Sequence, residues 1–90
     1  MEIQKELNEV ETMEVMLQDN AILIVAQKNN LLKLKITERL LQRQILRTPG
    51  IQESLGKVQQ QISATNSMIV NLSKMQEDLQ GIYNDKKNAV

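Results

Sequence analysis

The chain has 90 residues, eleven acids balancing eleven bases, no Cys, His, Trp or Phe, and one aromatic residue, Tyr83. Without thiols or imidazoles there is no disulfide framework, thiol nucleophile, imidazole base or Cys/His zinc site, and the redox compartment is not legible. Leu, Ile, Val and Met must do the packing beside many Gln and Asn, which is the composition of long helices and coiled coils rather than of a globule with aromatic bulk. No catalytic residue, cofactor or metal is expected, because the carboxylates fall on what should be a solvated acidic face without pocket-forming neighbours. No apolar run approaches the roughly 20 residues that span a bilayer, and the acidic N-terminus lacks the basic region of a secretory signal. An intracellular, cytoplasmic protein is therefore expected.

The predicted elements are two helices in one domain. The first covers about residues 2–47 in a single heptad register. Its a positions are Ile3, Val10, Leu17, Ile24, Leu31, Glu38 and Ile45, and its d positions are Glu6, Met13, Asn20, Gln27, Leu34 and Leu41. At 1.5 Å per residue it would be about 70 Å long. Residues 1–12 form an acidic amphipathic overhang, with Ile3, Leu7 and Val10 as a small stripe that either docks or frays. Ala21–Ala26 is apolar all round, a sign of cover on more than one side. From it a second stripe runs along b and f positions through Ile22, Val25, Leu32, Ile36 and Leu46, interrupted by Asn29 and punctuated by Arg39 and Arg43.

Charge is laid out unevenly along this helix. Residues 1–19 hold six acids against Lys5, a net of −5, and residues 28–47 hold six bases against Glu38, a net of +5. Helix-dipole matching accounts for such an arrangement, and so do complementary partner surfaces.

Thr48-Pro49-Gly50 then breaks the helix. Interior proline costs roughly 3 kcal/mol and glycine about 1 kcal/mol, so a turn at 48–50 is predicted, with Thr48 as N-cap and Pro49 as first residue of the second helix. That helix covers about residues 49–84. Its a positions are Leu55, Ile62, Ile69, Gln76 and Tyr83, and its d positions are Ile51, Val58, Thr65, Leu72 and Leu79. Glu53 and Lys57 form an i,i+4 pair. Gly81 marks a possible early end, and residues 85–90 are expected to be a loose tail.

Folded about the turn, the two helices pair a with d in ten layers whose residue numbers sum to a constant: Ile45 with Ile51, Leu41 with Leu55, Glu38 with Val58, Leu34 with Ile62, Leu31 with Thr65, Gln27 with Ile69, Ile24 with Leu72, Asn20 with Gln76, Leu17 with Leu79, and Met13 with Tyr83. The polar Asn20–Gln76 layer is expected to set register, because any other alignment leaves an unpaired amide against an aliphatic residue at about 1–3 kcal/mol. The predicted fold is thus all-α, a coiled-coil-like antiparallel helical hairpin that enters a four-helix or larger bundle by self- or hetero-association.

The flanks of the seam are unequal. The e side is polar, whereas the g side carries Met16, Leu23, Met68, Met75 and Ile82, an apolar ledge toward the open end. Burying such residues is worth about 1.5–3 kcal/mol each, and a contiguous patch marks an interaction site. The expected partner surface is therefore this ledge together with Ile22, Val25, Leu32 and Ile36, and the expected partner is a helical protein.

The functional expectation is a non-enzymatic structural or adaptor subunit. The alternative is a small chaperone-like or regulatory factor that binds a helical or peptide partner. Two further readings are weaker. Lys35, Arg39 and Arg43 form an i,i+4 basic ridge, but no stacking aromatic lies there and the domain is not basic overall, so nucleic acid is not expected. Gln76 in an apolar heptad run resembles the central glutamine of a SNARE motif, but the flanking pattern is too generic to assign a family and no anchor follows, so membrane tethering or fusion is not expected either.

Overall fold

The computed structural model describes residues 8–89. It is an antiparallel hairpin of two α-helices, α1 (Glu9–Gln44) and α2 (Ile51–Asn88), packed along their length.

The N-terminus of α1 is set by Asn8. Its backbone is extended (φ −75°, ψ 172°), its side-chain oxygen accepts from the Glu11 amide at 2.8 Å, and its side-chain NH2 donates to the Glu11 carboxylate at 2.8 Å. Cap and third helical residue thus satisfy each other as in a capping box. The helix expected from residue 2 therefore begins at Glu9. Residues 1–7 of the expected overhang, Ile3 and Leu7 among them, lie outside the described residues, while its described part is paired: Glu9 meets Lys86 across the hairpin at 3.0 Å.

The reversal falls where Pro and Gly predicted it, with different capping. α1 ends at Gln44, whose carbonyl accepts from Arg47 and Thr48 amides at 2.9 and 3.1 Å. Gly50 then takes a left-handed conformation (φ 83°, ψ −5°) and immediately precedes α2. That is the geometry a type II turn requires at its third position, with proline favoured just before it. Pro49 consequently belongs to the turn, and Thr48 does not cap α2. The left-handed residue has to come last before the helix, and glycine takes that conformation with least strain.

At the far end α2 does not stop at Gly81 or leave a loose tail after residue 84; it continues to Asn88. The last turns are tied to α1: the Tyr83 hydroxyl donates to the Glu14 carboxylate at 2.8 Å and Lys86 reaches Glu9; within α2, Lys87 sits 5.7 Å from the Tyr83 ring centroid. Together with the half-buried seam side chains of Leu79 and Tyr83 on either side of Gly81, these ties offset the roughly 1 kcal/mol helix penalty of one glycine.

The seam is the one read from the heptads. Every a and d residue from Val10 to Ile45, and from Ile51 to Tyr83, is buried or half-buried, and nearly everything else is exposed. The polar layer pairs in the expected register. Asn20 donates to the Gln76 side-chain oxygen at 2.8 Å and to the Leu72 carbonyl at 3.0 Å, while Gln76 donates to the Leu17 carbonyl at 3.3 Å. Asn20 is only 8% exposed, yet no buried side-chain polar atom among the described residues lacks a partner. Gln27 and Glu38, opposite aliphatic residues, are half-buried and keep their polar ends out of the seam.

A seam is not a core. Met13, at 6% exposure, is the one buried hydrophobic side chain among the described residues. The radius of gyration is 20.2 Å, against about 12 Å for a compact domain of this length. The accessible surface is 7394 Å², against about 5,400 Å² for an ordinary folded monomer of this mass.

Candidate interaction surfaces

Two apolar surfaces lie outside the seam, and the heptad positions explain both. The g residues of α1 and α2 come side by side along one edge of the seam. Toward the open end they are Met16 and Leu23 from α1 and Met75 and Ile82 from α2, at 49, 50, 59 and 53% exposure. They line an open groove of about 410 Å³ whose remaining walls are Asn20, Leu79, Asp19 and Asp78. The structure therefore joins four residues of the predicted ledge into one site. Met68 is exposed as expected but does not line the groove. Two methionines on opposite walls make the lining deformable.

The two aspartates were not among the expected partner-binding residues. They occupy c positions, next to g on the helix surface, so the wheel that located Met16 and Met75 also places Asp19 and Asp78 beside them. The result is an apolar trough with an acidic residue on each helix. Among the described residues no three acids approach closely enough to hold a metal ion.

The second surface is the back of α1. Ile22, Val25, Leu32 and Ile36 are all exposed, and Val15, absent from the sequence-predicted set, continues the line toward the N-terminus at the same f position as Ile22 and Ile36. Leu46 is exposed beyond the helix end, in the turn. The predicted stripe therefore holds as a helical face from Val15 to Ile36 and stops there. Lys35, Arg39 and Arg43 are exposed near it.

Thr48, Pro49 and Gly50 are exposed and form the reversal. Among the described residues no helix is long and apolar enough to cross a membrane. No family model, curated protein or solved structure matches the chain.

Proposed function

We propose that the protein is a non-enzymatic, cytoplasmic helical adaptor that binds a helix of another protein in the groove between α1 and α2. The observation that carries this reading is the run of Met16, Leu23, Met75 and Ile82, four half-exposed apolar side chains contributed by both helices to one trough. A third helix laid there would complete the side-by-side packing that two helices cannot supply, as in a helical bundle. The aspartates at its edges favour a partner whose flanking positions carry Lys or Arg.

The test is affinity capture with the intact chain and with Leu23→Asp plus Met75→Asp, followed by cross-linking mass spectrometry. The adaptor reading expects cross-links from one recurrent partner to Lys86, which shares a surface depression with the groove residue Ile82, and their loss in the variant. A partner retained by the variant would defeat it. The methionines support a second reading, a chaperone-like factor, because such surfaces accommodate varied sequences. Capture of several unrelated segments at the same cross-linking position would favour that version.

A further inference from the structure

The groove leaves the back of α1 unexplained. Val15, Ile22, Val25, Leu32 and Ile36 stand between 44 and 67% exposed, at heptad positions b and f, about 150° around the helix from the seam. The charges of α1 are divided along the same helix. Glu11, Glu14 and Asp19 lie near its start, and Lys28, Lys33, Lys35, Arg39 and Arg43 follow. None of these five bases has an ion-pair partner among the described residues. Across the seam α2 offers none, because its residues flanking the seam opposite the basic stretch are neutral: Gln52, Gln59, Gln61 and Asn66; within α1 the stretch holds a single acid, Glu38.

We infer that this face pairs with the same face of a second copy of the chain, the two α1 helices antiparallel about a two-fold axis between Leu23 and Ile24. An antiparallel pair lays the acidic stretch of each helix on the basic stretch of the other, whereas a parallel pair lays like on like. The apolar pattern then selects the register. Ile22 meets the partner's Val25, Val15 meets the partner's Leu32, and Gln18 meets the partner's Asn29. Apolar faces apolar and amide faces amide, as Asn20 faces Gln76 within the hairpin. Beside the stripe, Glu14, whose Oε1 accepts from Tyr83 within the hairpin, offers its other carboxylate oxygen to the partner's Lys35. Glu11 with the partner's Ile36 is a mixed layer at each end.

Sliding by one heptad spoils this match. With Ile22 on the partner's Leu32, Val25 meets the partner's Asn29, Ile36 meets the partner's Gln18, and Lys28 meets its own copy. The preferred overlap, from residue 11 to residue 36, is about 38 Å long. Each contact occurs twice, because a two-fold interface is self-complementary. The inference does not rest on the adaptor reading, since the pairing leaves the groove uncovered.

Light scattering during size exclusion, on the full chain at high micromolar concentration, tests the assembly. The wild type and Leu23→Asp plus Met75→Asp should both be dimers. Ile22→Asp plus Leu32→Asp should be a monomer that keeps the helical circular dichroism of the wild type. The chain has no cysteine, so register can be read by mixing two single variants, Gln18→Cys and Asn29→Cys. Together they should oxidise to a cross-linked dimer, and neither should do so alone. Glu14→Lys should weaken the dimer about tenfold, and adding Lys35→Glu should restore it. A monomeric wild type, a dimer lost in the groove variant but kept in the stripe variant, or no cross-link in the mixture would overturn the proposal. None of these results bears on whether another protein's helix binds the groove.

Discussion

The two ends of the hairpin are held by different means. From Ala21 to the turn, no side-chain hydrogen bond or ion pair joins the helices among the described residues, and the seam there is aliphatic apart from Gln27, Glu38 and Thr65. From Asn20 to the open end the helices are tied repeatedly, through Asn20 with Gln76 and Leu72, Gln76 with Leu17, Tyr83 with Glu14, and Lys86 with Glu9. The covalent connection explains the division. Near the turn the chain itself holds the partners together, whereas closing the Met13–Tyr83 layer on its own would cost about 2 kcal/mol more chain entropy than closing Ile45 on Ile51. Directional bonds are concentrated where the connection helps least, and the groove opens at that same end.

The largest effect that would break this contrast comes from the amide layer. Asn20→Leu alone strands Gln76 and removes the donor to Leu72, and should cost about 1–3 kcal/mol in urea unfolding followed by circular dichroism. Asn20→Leu with Gln76→Leu should instead melt higher than the wild type while populating more than one species by native mass spectrometry. A less stable double variant in a single form would show that the layer does not specify register. At the closed end the sensitive position is Gly50. Nothing lies within 4 Å of a side chain built there, so Gly50→Ala should cost only the left-handed backbone strain, about 1 kcal/mol, with amide exchange at the open end following global stability alone.

Tyr83→Phe sharpens the comparison locally. It should lower global stability by about 0.5 kcal/mol but speed amide exchange selectively from residue 81 to residue 88, since the tie to Glu14 helps hold the helix past Gly81. Lys86→Gln should have the smallest effect. The Lys86–Glu9 pair is half-exposed on both sides, so the loss should be about 0.3 kcal/mol and vanish in high salt.

The seam was legible because heptad spacing and a single Pro-Gly break jointly overdetermine it. Choosing Ile3 as the first a position fixes one stripe, choosing Ile51 as a d position fixes the other, and the requirement that Asn20 meet Gln76 checks both. The element ends were not legible for a different reason. Local propensity favoured Thr48 as a cap and Gly81 as a stop, but Thr48 was displaced by the need for a left-handed residue immediately before α2. Gly81 was overridden by contacts to Glu14 and Glu9, which are 67 and 72 residues away in sequence. The start at Glu9 was available in principle, since Asn8 followed three residues later by Glu11 is a capping pattern. The long heptad run through it concealed the signal. At the candidate site, the apolar walls followed from g-position arithmetic, while Asp19 and Asp78 emerged only when the neighbouring c positions were placed beside them.

The position of the Asn20–Gln76 layer also bears on how the hairpin forms in time. Counted from the turn it is the eighth of ten layers. Contacts of small sequence separation close soonest, so a zipper started at Pro49-Gly50 passes seven layers before it meets the residues that distinguish one alignment from another. A chain paired one heptad out of step would travel that whole distance before Asn20 encountered Ile69 or Tyr83, and would have to reopen the aliphatic stretch to recover. The Asn20–Gln76 hydrogen bond is therefore formed late, and correction of a wrong start should be limited by unzipping rather than by the initial turn.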